Sequence, residues 1–93
     1  MSNPSGAVIH ELHGGINDGL QLPNTELYTV VAAPADIVLR GLKDYVEWRP
    51  TAGTTVDIYQ YVPPARPDAE RPGVEIHHLY LRRTETLTET VTR

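Results

Sequence analysis

The chain has 93 residues, no cysteine, and a formal charge of −4 from twelve acidic and eight basic side chains. That length is one domain with a modest core, and without thiols neither a disulfide framework nor a thiolate metal site is available. Seven arginines and one lysine, Lys43, are scattered along an acidic chain, which argues against the basic face a nucleic-acid-binding domain needs, and no apolar run approaches the ~20 residues of a membrane helix.

Met1 to Gly6 has neither a basic stretch nor an apolar run, so it reads as a flexible leader and not as a signal peptide. Residues 7–93 are then one β-rich domain. Phenylalanine is absent, so its core must be built from Val, Leu and Ile, with tyrosines at the margins. Ala7 to His13 predicts a first strand that ends at Gly14-Gly15. Asn17-Asp18-Gly19 predicts a hairpin turn, because such pairs supply the positive φ angles a tight turn demands. Leu20 to Leu22 predicts a short second strand running into Pro23, and Leu27 to Ala32 a third, stopped by Pro34. In Asp36 to Arg49 the residues Ile37, Val38, Leu42, Tyr45 and Val46 fit a helical stripe, so one short helix is possible around residues 36–48. Gly41 and the β-branched residues favour two strands instead, Ile37 to Arg40 and Tyr45 to Arg49, around a Gly-Leu-Lys-Asp turn. Thr51 to Thr54 reads as a turn. Val56 to Val62 reads as a strand with Val56, Ile58, Gln60 and Val62 on one face and Asp57, Tyr59 and Tyr61 on the other.

Pro63 to Gly73 holds four prolines among charged residues and predicts a solvated loop or an extended arm. Val74 to Arg93 contains no Gly or Pro and predicts a terminal strand, or a hairpin turning near Arg83 to Thr86. Its last stretch alternates strictly, with Thr84, Thr86, Thr88, Thr90 and Thr92 on one face and Leu87 and Val91 on the other. The fold class expected is mostly β: a small antiparallel sheet, sandwich or barrel-like.

The run His10-Glu11-Leu12-His13-Gly14-Gly15-Ile16-Asn17-Asp18-Gly19 resembles a pattern of small proteins from tailed phages of actinobacteria. There a strand ends in Gly-Gly-x-x-Asp-Gly, a second strand leads to a proline, and a late strand is rich in Tyr and Arg. Leu22-Pro23 and Leu79-Tyr80-Leu81-Arg82-Arg83-Thr84 stand at comparable places. The resemblance covers roughly the first thirty and the last twenty residues. It departs at Ile16, where many such sequences carry proline. It implies a fold and a phage origin and assigns no activity.

Several residues have chemistry to weigh. Gly14, Gly15, Asp18 and Gly19 form a turn motif that could cradle an anion with backbone N–H groups, with Arg82 and Arg83 as anion contacts. A phosphate loop, however, opens a helix and carries Lys and Ser or Thr, and none of these follows Gly19. His10 and His13 point to opposite faces of a strand, and so do His77 and His78. One histidine of each pair can therefore join a given site, with Glu11 or Asp18 completing it. Structural histidines are the simpler reading, and neither a metal nor a cofactor is expected. Ser2 and Ser5 are the only serines, so nucleophiles are scarce. A His–carboxylate acid–base pair is conceivable, His78 with a glutamate for example, but four histidines and twelve carboxylates make such pairs by chance, and no enzyme is expected. The threonine row resembles ice-binding surfaces, but β-propensity at an edge explains it.

The sequence thus predicts a non-enzymatic phage structural protein, an accessory or decoration component of the virion, present in the host cytoplasm during assembly. Its expected partners are itself or a capsid or tail protein, with neither membrane nor nucleic acid. The terminal run Thr84, Thr86, Leu87, Thr88, Thr90, Val91 and Thr92 is the expected intersubunit strand, because an unbroken strand can add to a neighbour's sheet. The alternative is a phage-encoded binding protein that sequesters a host defence factor or a small anionic signalling ligand.

Overall fold

Alternation without a breaker makes Ala7–His13 a strand, β1, with the bounds the sequence predicts. The computed structural model describes residues 7–24 and 29–88. After β1 come β2 (Gln21–Asn24), β3 (Val30–Pro34), helix α1 (Leu42–Glu47), β4 (Thr55–Tyr61), the short β5 (Arg66–Pro67) and β6 (Val74–Thr86). The fold is mostly β: one open sheet in the order β2-β1-β6-β4-β3 curls into a half-barrel, and β5 pairs with β6 off that path. The leader Met1 to Gly6, residues Leu27 and Tyr28 of the predicted third strand, and Thr90, Val91 and Thr92 lie outside the described residues.

β6 is the spine of the sheet. Its first half pairs in parallel with β1, Ala7 opposite Val74 through His13 opposite Tyr80. Its second half pairs antiparallel with β4, Tyr61 opposite Leu79 through Thr55 opposite Thr86. The sheet is therefore mixed where an antiparallel one is expected from the sequence. The hairpin considered near Arg83 to Thr86 does not form. With no Gly or Pro to break it, β6 runs straight through this region and bends only at a bulge, where Arg82 is the extra residue between Leu81 and Arg83. Thr84 and Thr86 pair within their own chain's sheet along one edge, opposite Asp57 and Thr55. Leu87 stays with the domain too, bonded through its backbone to Gly53 and Thr54.

Leu12, Leu79 and Tyr59 are fully buried and centre the core, with Leu20, Leu22, Val31, Ala33 and Leu39 around them. Burying side chains of this size is worth roughly 1.5–3 kcal/mol each. Both faces of β4 are covered, where the sequence suggests one apolar face. Tyr59 enters the main core, while Val56 and Ile58 face a hollow lined by Ala32, Tyr45, Trp48, Pro50 and Leu87.

The strand pair expected over Ile37 to Arg40 and Tyr45 to Arg49 is replaced by an irregular stretch and α1. The cause is Asn17, a buried side chain in the β1–β2 turn. Its Nδ2 donates to the carbonyls of Pro34 and Ile37, both at 3.0 Å, and its Oδ1 accepts from the Leu39 N–H at 2.7 Å. These bonds take backbone groups that a strand ladder would need. Asp44 reaches back to the Arg40 N–H at 3.0 Å and so satisfies a donor just before α1. The Pro63 to Gly73 segment folds back against its own sheet and is no projecting arm. Arg66 and Pro67 pair with Ile76 and Glu75, and the Asp68 N–H donates to the Val74 carbonyl at 2.9 Å.

Candidate functional site

The parallel register of β1 and β6 sets His10 opposite His77, Glu11 opposite His78 and His13 opposite Tyr80. Because side chains alternate, the four histidines separate by face, one of each pair to each side, as the sequence predicts. His10 and His77 lie on the core side. Both are buried, their rings meet edge to face at 5.9 Å, and Tyr61 stacks on His77 at 4.5 Å. Burial holds the His10 pKa below the usual imidazole value, with the neighbouring His77 pushing the same way and a backbone bond at Leu22 opposing them. Among the described residues the buried Nε2 of His77 has no hydrogen-bond partner; the Glu75 carboxylate, 3.5 Å away, is too far to serve.

On the opposite face Glu11, His13 and His78 converge. His13 Nε2 lies 2.7 Å from His78 Nδ1 and 3.0 Å from Glu11 Oε1, and His78 Nδ1 lies 3.3 Å from the same oxygen. The three ligand atoms fall within 4.8 Å of one another, a donor set suited to a metal ion. It also contains the His78–glutamate pair that the sequence offers for acid–base work. Neighbouring strands hold the group. From β2, Gln21 Nε2 donates to the other oxygen of Glu11 at 2.7 Å. Tyr80 stacks on the His13 ring with centroids 4.8 Å apart. From β5, the Arg66 Nε–H donates to His78 Nε2 at 3.1 Å. Burial, followed by the charge of Arg66, lowers the His78 pKa, and Glu11 works against both. The i, i+2 spacing of Glu11 and His13 is legible in the sequence. Arg66 is not, because only the fold-back of β5 brings it to His78.

The glycine turn is a backbone device. Gly14, Gly15 and Gly19 all have positive φ, as the hairpin reading requires. The anion reading fails here. The Gly14 N–H that would hold an anion already donates to Asp18 Oδ1 at 2.7 Å, and the Asp57 carboxylate stands directly over Gly15. Arg82 and Arg83 are not drawn to the turn: Arg82 is the exposed bulge residue, and Arg83 bonds Glu85 at 2.9 Å. Among the described residues no helix is long and apolar enough to cross a membrane. Compared with known proteins, the chain matches no family model, no curated protein and no solved structure.

Proposed function

We propose that the protein is a non-enzymatic assembly subunit, an accessory or decoration component of a phage particle that docks on a capsid or tail protein through the segment around α1. The observation that carries this reading is the exposure of apolar side chains there. None of the residues of α1 is buried, and Ile37, Val38, Leu42 and Val46 are all exposed within ten residues of chain. Leu42 and Val46 stand one helical turn apart and share a face. A small domain that leaves such residues in water has a use for them, and an interaction site is the usual one. Asn17 fixes the start of this segment, so the side chains are presented from a backbone that is already ordered, which lowers the cost of binding. The phage setting rests on the resemblance of the N-terminal turn and the late Tyr/Arg strand.

The test is mass spectrometry of purified particles from an infected host. Multiple copies per particle are expected, and a Leu42→Glu, Val46→Glu double variant that stays folded should be lost from them. Absence of the wild-type chain from particles overturns the reading.

A further inference from the structure

We propose that Glu11, His13 and His78 bind a first-row divalent transition-metal ion of the zinc class, and that Arg66 must release His78 for the ion to enter. Such an ion is not expected from the sequence. The geometry supplies the reason to expect one, because protons alone do not satisfy this cluster while Arg66 donates to His78. The Arg66 Nε–H is always a donor, so the His78 Nε2 it contacts is an acceptor. A neutral His78 then carries its proton on Nδ1. If that proton goes to His13 Nε2, 2.7 Å away, the His13 nitrogen has no hydrogen for Glu11 Oε1, and two acceptors face each other at 3.0 Å. If His13 Nε2 instead carries a hydrogen for Glu11, two N–H groups face each other across 2.7 Å. Protonating Glu11 does not help, because the single lone pair of His13 Nε2 would be claimed twice. With Arg66 in place, one of the close contacts stays repulsive in each case.

A cation among the three atoms removes the repulsion within the cluster, since each atom presents a lone pair to it once the His78 proton moves from Nδ1 to Nε2. Around a tetrahedral zinc ion, neighbouring N and O ligands lie about 3.3 Å apart. The cluster edges of 2.7, 3.0 and 3.3 Å need to open by at most about 0.6 Å to reach that spacing. Two imidazoles and one carboxylate suit zinc and its neighbours better than calcium or magnesium, which prefer oxygen. Outer contacts of the kind that orient ligands are in place: Gln21 on Glu11 and Tyr80 on the His13 ring. Glu11 and His13 are partly exposed, so an ion can reach the site and water can supply the fourth ligand. To offer Nδ1 to the ion, His78 must carry its proton on Nε2, which then points at the Arg66 Nε–H. Two donors repel, so Arg66 and the short β5 that carries it have to give way. Metal binding is thereby coupled to the Pro63 to Gly73 segment.

The experiment titrates zinc chloride into protein that carries no histidine tag, read by calorimetry and by the imidazole resonances. Saturation at one equivalent is expected, with the His13 and His78 signals shifting and the core-side His10 and His77 signals unmoved. His13→Ala and Glu11→Gln, both at partly exposed positions, should each weaken binding by at least about tenfold. Arg66→Ala should tighten it several-fold, which an incidental surface site would not show. No saturable binding, or binding unchanged in His13→Ala, overturns the site. Binding that Arg66→Ala leaves unchanged or weakens overturns the gating role of Arg66.

Discussion

Gly15 and Gly19 share a left-handed backbone but not a neighbourhood. A Cβ on Gly15 would lie 2.7 Å from Asp57 Oδ2 and 2.9 Å from Tyr59 Oη, whereas one on Gly19 would have nothing within 4 Å. Gly19→Ala should therefore cost only the backbone strain, about 1–2 kcal/mol. Gly15→Ala adds the displacement of two packed side chains, for a total of roughly 3–5 kcal/mol. Urea unfolding of the two variants measures the difference, and equal losses would mean that the contact with Asp57 and Tyr59 is immaterial. Tyr59 itself makes a pH prediction. Its hydroxyl donates to the Gly14 carbonyl at 2.7 Å, and burial, then Asp57, then Asp18 push its pKa up to about 12. In the unfolded chain the value is about 10. The fold favours the neutral phenol, so this contribution is fully present below pH ~10 and is lost as pH rises toward ~12, by roughly 2–3 kcal/mol. Tyr59→Phe should lower stability near neutrality by about 1 kcal/mol yet flatten the alkaline decline. Parallel stability–pH curves for the two proteins would contradict it. The need for glycine at 15 is legible in the sequence as turn chemistry; the two groups over it come from β4, forty residues on, and are not.

Among the elements, what is local is legible and what is paired from afar is not. β1 has its predicted bounds because alternation and the glycine pair act within a few residues. The mostly β character follows from the same cues. The parallel β1–β6 pair joins segments more than sixty residues apart, and no local signal specifies it, so the sequence offers Glu11 with one histidine of each pair but does not say that His13 and His78 are the two that meet it. Residues 37–40 are misread as a strand because their hydrogen bonds come from Asn17, a side chain whose role is invisible in their own sequence. The terminal segment offers a test of β6. Deleting Thr88 to Arg93 leaves every described strand pair intact, and the melting temperature should stay within about 3 °C. Deleting Thr84 to Arg93 removes the partners of Thr55, Val56 and Asp57, and takes Leu87 from the hollow beside Trp48. It also leaves the buried Asp57 without the Thr84 hydroxyl that donates to it at 2.6 Å, a loss of about 1–3 kcal/mol in itself. That truncation should lose its cooperative melt. A normally folded product would show that the second half of β6 is dispensable and free to pair elsewhere.

For the whole molecule, the exposed segment around α1 sets how strongly the protein can associate by itself. Val38 keeps 61% and Val46 53% of its surface in water, and Ile37 and Leu42 are nearly as open. Burying four such side chains, starting half-exposed, gains roughly 3–6 kcal/mol per molecule, or roughly 6–12 kcal/mol when two copies bury the same patch against each other. Joining two molecules costs about 4–15 kcal/mol in lost translation and rotation before any side chain is ordered. That cost consumes most of the gain, so a single patch of this size supports weak self-association and not a tight dimer. A particle lattice is different, because neighbouring subunits bound to one surface reinforce one another and each further contact is made at high effective concentration. The open edge of β6 favours the same arrangement: residues 81–86 have β4 on one side and, among the described residues, no strand on the other, since β1 ends at His13. Arg82, Arg83 and Glu85 keep that edge from pairing indiscriminately. The isolated protein should then be monomeric by light scattering at about 10 µM, with the weak concentration dependence expected of a small apolar patch. Leu42→Glu with Val46→Glu should abolish that residual dependence without altering the circular dichroism spectrum. A stable dimer in the wild type that persists in the double variant would move the interface away from α1, and the open edge of β6 would become the surface to block next, with a proline at Thr84.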